Sequence, residues 1–125
     1  MRVDAQRVLR RRREERRALL ERASDFAKAL PPDLDICAVV VFGSVARGDF
    51  NKWSDVDVLV VARGAVGGPT DRHDALGIVP GRVQPVVWTP GEFRRRQRRS
   101  DPIAREALEH GRWLRGSPED FAVPR

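Results

Sequence analysis

Asp55 and Asp57 stand two residues apart at the head of an apolar run that reads DVDVLVV. Side chains alternate along a strand, so the two carboxylates share one face. Side by side they repel, and a cation between them relieves the repulsion. Hard cations such as Mg²⁺ take oxygen ligands, often one or two carboxylates plus substrate phosphates. Ten residues separate this pair from Gly43-Ser44, which follows another apolar run, residues 38–42. A Gly-Ser turn at a helix start offers backbone N–H groups to a phosphate. Together the halves predict one site for a metal-bound nucleoside triphosphate. Asp55 and Asp57 are its expected metal ligands and catalytic residues, and Gly43 and Ser44 its expected phosphate contacts. Arg47 and Lys52, between the two motifs, either meet phosphate or stay solvated. Trp53 is placed to meet a purine or to sit on the rim.

The flanking sequence supplies the elements that must hold these groups. Residues 36–42 predict a strand buried on both faces, because the run is apolar without interruption. A short helix is expected from Ser44 to about Arg47, then a loop over 50–54. Residues 55–61 predict a second strand with Asp55, Asp57, Leu59 and Val61 on one face. Its acids lie beside the Gly-Ser turn if the two strands are antiparallel neighbours. Residues 83–88 predict a third strand, and Pro85 within it argues for an edge or a bulge. The 63–81 stretch carries five glycines and two prolines, with a helical turn expected over 71–76.

Residues 4–30 predict a long helix, with apolar positions Leu19, Leu20, Ala23, Phe26, Ala27 and Leu30 at three- and four-residue steps. Pro31-Pro32 ends it. Arg12 and Arg16 interrupt the stripe, so the second half is expected on the core. The first half, a basic extension over 1–18, is expected to project, fray or dock on a partner. Thr89-Pro90-Gly91-Glu92 reads as a capping box opening a helix to about Arg98. Asp101-Pro102 starts another, which stops at Gly111. Trp113-Leu114 predicts a short closing strand, and 116–125 a flexible tail. The expected fold is α/β (α+β): a small mixed sheet of three to five strands with helices packed on it.

A chain of 125 residues predicts one domain over 1–125. No apolar run is long enough to span a membrane, and the N-terminal stretch does not resemble a secretion signal. A cytoplasmic location is expected. The lone Cys37 excludes an intrachain disulfide and reads as a buried thiol. The net charge is +6, from 22 Arg, Lys28 and Lys52 against 18 acids. Such a surface attracts nucleotides, nucleic acid or an acidic protein. The clusters Arg10–Arg17 and Arg94–Arg99 read more readily as solvated helix faces than as a nucleic-acid site, so nucleic acid is not the favoured partner.

Gly-Ser, ten residues, then Asp-x-Asp resembles the signature of the DNA polymerase β-like nucleotidyltransferase superfamily. Ala46-Arg47-Gly48-Asp49 and the brevity of the chain resemble its minimal nucleotidyltransferases. The likeness is densest over residues 38–62. It continues more loosely through PVVWTPGEFRRR (85–96) and REALEHGRWL (105–114). The resemblance implies Mg²⁺ or Mn²⁺, ATP or another nucleoside triphosphate, and transfer of a nucleoside monophosphate to a hydroxyl. Arg47, on the loop between the two motifs, is the further candidate phosphate contact. An antitoxin role beside a HEPN-type toxin follows from the same likeness. An acceptor such as an aminoglycoside is the other candidate.

The family carries a third carboxylate on a later strand, facing the first two. Gln84 aligns with that position here. A glutamine cannot act as a carboxylate base. Asp71 and Asp74 are the other nearby acids, but they lie in the Gly/Pro-rich stretch. Two readings therefore stay open: a nucleotidyltransferase, or a non-catalytic nucleotide-binding module that grips a partner protein or RNA.

Overall fold

The computed structural model describes residues 4–122. The described residues form a four-stranded mixed sheet with helices on both faces. The strands are β1 (Ile36–Phe42), β2 (Val56–Ala62), β3 (Val83–Trp88) and β4 (Arg112–Arg115). Their order is β3-β2-β1-β4. β1 pairs antiparallel with both β2 and β4, and β2 pairs parallel with β3. β1 and β2 are thus antiparallel neighbours, the condition that sets the acids beside the Gly-Ser turn, and Pro85 does lie on an edge strand, as its missing N–H favours.

The helices are α1 (Ala5–Lys28), α2 (Gly43–Arg47), α3 (Pro69–Asp74), α4 (Pro90–Arg98) and α5 (Pro102–His110). One face of the sheet (Val39, Val41, Val56, Val58, Val60) packs under α1 through Leu19, Ala23 and Phe26. The other face (Ala38, Val40, Phe42, Leu59, Val61) packs against Phe93 of α4 and Ala104 and Ala107 of α5. Valine and leucine on both faces of β1 and β2 make these strands interior, as continuous apolar runs require. α4 opens as expected: Glu92 N–H donates to Thr89 Oγ1 at 3.2 Å, and Thr89 N–H donates to Glu92 Oε1 at 3.0 Å.

Three expectations are corrected. First, Arg12 and Arg16 tie α1 to the body, while the residues before them, 4–11, stay exposed. Arg16 Nε donates to Val45 O at 3.0 Å and its Nη2 to Ala46 O at 2.7 Å. Arg12 Nη2 donates to Phe50 O at 2.7 Å, with its guanidinium 4.7 Å from the Phe50 ring centroid. These arginines break the apolar stripe because the carbonyls ending α2 and its following loop need donors. Second, the tail is seated over 118–121. A 3-10 turn from Pro118 to Phe121 leaves Phe121 only 3% exposed, 5.1 Å between ring centroids from Phe93. The remainder of the expected flexible tail, 123–125, lies outside the described residues. Third, β2 begins at Val56, so Asp55 precedes the strand instead of lying in it. Among the described residues no helix is long and apolar enough to cross a membrane.

Candidate active site

The site is assembled where β1 ends and β2 begins. Antiparallel pairing sets Phe42 opposite Asp57, so the residue that follows Phe42 turns beside the Asp57 carboxylate. That residue is Gly43, with φ +77°. A Cβ built on Gly43 would collide with Asp57 Oδ2. Glycine is needed here twice over, for the left-handed backbone and for the close approach. Phe42, at the N-cap of α2, makes no side-chain cap hydrogen bond. Among the described residues no side chain accepts from the first turn of α2, which includes Ser44, so its N–H groups are open to an anion.

Asp57 is half-buried and Asp55 exposed. Among the described residues neither carboxylate has a hydrogen-bond or ion-pair partner. Burial pushes the Asp57 carboxyl above its ordinary range. The Asp55 charge adds to this, Arg47 opposes it, and Glu106 adds further. An acid pair that is destabilised and unpaired, and that presents hard oxygen donors, fits a divalent cation. Among the described residues no group of three or more His, Cys, Asp or Glu converges. Two carboxylates leave the rest of a coordination shell to phosphate oxygens and water.

The parallel register of β2 and β3 pairs Asp57 with Gln84. Paired residues in adjacent strands project to the same face, so the amide lies on the side of the Asp57 carboxylate. Asp71 is employed elsewhere: its Oδ2 accepts from Gly68 N–H at 3.2 Å, at the start of α3. Asp74 is exposed in the same helix.

Arg47 stands at the site but is already engaged. Its Nε donates to Asp49 Oδ2 at 3.1 Å, its Nη2 to Asp49 Oδ1 at 3.3 Å, and its Nη1 to Glu106 Oε1. Trp53 is 79% exposed in the loop before Asp55, with the Lys52 ammonium 5.1 Å from its ring centroid. That loop is tied down by Arg82, whose Nη2 donates to the Lys52 and Ser54 carbonyls. Trp88 is buried and Trp113 half-buried.

Glu106 is the site residue that the strand-and-turn pattern misses. It comes from α5, far beyond the motif in sequence, and borders the apolar face that carries Ile103 and Ala107. Its signals in sequence are an acid at the edge of an apolar helix face and its place in the 105–114 stretch that shares the family likeness.

Comparison with known proteins bears on the family and the fold. A protein of Methanocaldococcus jannaschii, provisionally named a protein adenylyltransferase, is 43% identical over 42 residues. That match spans 34% of this chain and 29% of the relative. A crystal structure of a provisionally named nucleotidyltransferase from Sulfolobus solfataricus superposes with a TM-score of 0.59 at 29% identity. It covers 67% of this chain and 78% of its own. A toxin–antitoxin complex with AMP-PNP is more distant, with a TM-score of 0.44 and 16% identity. The nucleotidyltransferase domain model matches residues 20–114. This chain belongs to the nucleotidyltransferase domain family.

Proposed function

We propose that this protein transfers a nucleoside monophosphate, AMP from ATP, to a hydroxyl on a protein acceptor. The observation that carries the reading is the juxtaposition of Gly43 with the Asp57 carboxylate, which joins a phosphate turn to an acid pair in one place. The relative named for protein adenylylation supports a protein acceptor. Asp55 and Asp57 would hold Mg²⁺ or Mn²⁺. The bound cation would neutralise charge on the attacking and leaving oxygens.

The chain's own groups do the positioning. The first turn of α2 receives the outer phosphates, with Ser44 adding a hydroxyl. Arg47 offers a fixed positive charge on the same side. The acceptor oxygen bonds to the α-phosphorus, the bond to the bridging oxygen breaks, and pyrophosphate leaves with the electron pair. The hydroxyl proton passes to water or to an aspartate, because Gln84 cannot accept it.

The acceptor that the family likeness favours is a tyrosine of a HEPN-type toxin, with this protein as its antitoxin. Gln84 beside Asp57 supports one rival, a non-catalytic module that binds nucleotide and partner alone. Incubation with labelled ATP, Mg²⁺ and the neighbouring gene's product separates the two. Label should move to the partner, and Asp57→Ala should abolish the transfer. No transfer, with partner binding kept by Asp57→Ala, would establish the rival.

A further inference from the structure

Glu106 reaches the site from α5, on the side of the sheet that carries Leu59 and Val61. Its Oε1 accepts from Arg47 Nη1, while its Oε2 is sealed from solvent and has no hydrogen-bond partner among the described residues. Its charge is close enough to bear on Asp57. A proton acceptor for an incoming hydroxyl needs a reachable oxygen. Glu106 has none, since one oxygen is committed to a guanidinium and the other is enclosed.

Its chemistry is that of a clamp. Arg47 is gripped on one edge by Asp49 through Nε and Nη2, and at Nη1 by Glu106. The second hydrogens of Nη1 and Nη2 have no partner among the described residues. A guanidinium can therefore keep both carboxylates and still donate to a further anion. An arginine that is already clamped gives up little side-chain freedom on meeting a phosphate, whereas a loose one gives up much.

We propose that Glu106 is a positioning residue for nucleotide binding: with Asp49 it fixes Arg47 next to Asp57, so that the triphosphate meets a preset guanidinium. This rests on the reading of the site as one for a nucleoside triphosphate. Gln84 leaves the strand side of Asp57 without charge, and α5 supplies the acid that organises the opposite side.

The test is calorimetric titration of MgATP onto the full chain. Wild type, Glu106→Gln, Glu106→Asp, Arg47→Ala and the Glu106→Gln/Arg47→Ala double variant are compared, with folding of each checked by circular dichroism. Glu106→Gln should weaken MgATP on the order of tenfold, as loss of an orienting partner does. Glu106→Asp should restore part of the affinity. In the Arg47→Ala background, Glu106→Gln should cost nothing further, because its effect runs through Arg47. Asp49→Asn should weaken MgATP in the same direction and serves if Glu106→Gln fails to fold. Unchanged affinity in the folded variants, or an equal extra loss in the Arg47→Ala background, overturns the clamp alone. A wild-type chain that binds no MgATP overturns both the clamp and the proposed function.

Discussion

Gln84 lies beside Asp57 in the parallel pairing of β2 with β3, on the face that carries the Asp57 carboxylate. A carboxylate at this position would stand next to Asp57 and, on the proposed function, could take the acceptor proton. Gln84→Glu is therefore expected to raise the rate of nucleotide transfer, by as much as the factor of about 10²–10⁴ that general bases contribute. Initial rates with labelled ATP at saturating Mg²⁺ check this. An unchanged or lower rate would place the proton acceptor elsewhere.

Gly43 takes φ +77° with no room for a Cβ against Asp57. Gly43→Ala should destabilise the fold by about 1–3 kcal/mol, the usual range for backbone strain at such a position. It should also push Asp57 out of place and abolish detectable MgATP binding. Urea unfolding and nucleotide titration on the same sample separate the two effects.

Arg16 holds the carbonyl end of α2 through two hydrogen bonds. Arg16→Ala should cost about 2 kcal/mol, since bonds to a charged donor are worth more than neutral ones. MgATP affinity should fall with it, because α2 carries Gly43 and Ser44 at its other end. Arg16→Lys should not restore stability, as one ammonium cannot reproduce the two-nitrogen fork. A thermal melt of the three proteins, with and without MgATP, tests this. Equal melting of wild type and Arg16→Ala would refute it.

The Asp57 carboxyl is raised from its ordinary value of 3.8, chiefly by burial and then by Asp55. A carboxyl raised in the fold binds its proton more tightly there than in the unfolded chain. Its contribution to stability is present below the unfolded value and is lost as pH rises through the folded one. At neutral pH the charged form therefore weakens the metal-free fold. Asp57→Asn should raise stability at neutral pH by no more than about 1 kcal/mol, because a half-buried group is screened by water. The gain should shrink on acidification. Added Mg²⁺ should stabilise wild type and leave Asp57→Asn unmoved. Melting curves across pH, with and without Mg²⁺, would expose a contrary trend.

The local rules worked wherever a residue's neighbours in sequence set its environment. Thr89 and Glu92 close a capping box that four consecutive residues suffice to encode. β1 and β3 match their apolar runs, and Pro85 foretold an edge strand. Local reading failed where the partner was remote. Arg12 and Arg16 look like polar breaks in a helical stripe until α2 is folded beneath them. Phe121 looks like part of a loose tail until Phe93 and Trp113 stand beside it.

By itself the sequence determined the chemical inventory of the site and its two halves. Gly43-Ser44 and Asp55/Asp57 are each local patterns whose chemistry follows from residue type and a fixed backbone period. The tertiary structure alone decided what else stands there. Strand register set Gln84 against Asp57, and the packing of α5 on α2 brought Glu106 to Arg47. Neither contact has a sequence period, because each is fixed by how whole elements bury their apolar faces against one another.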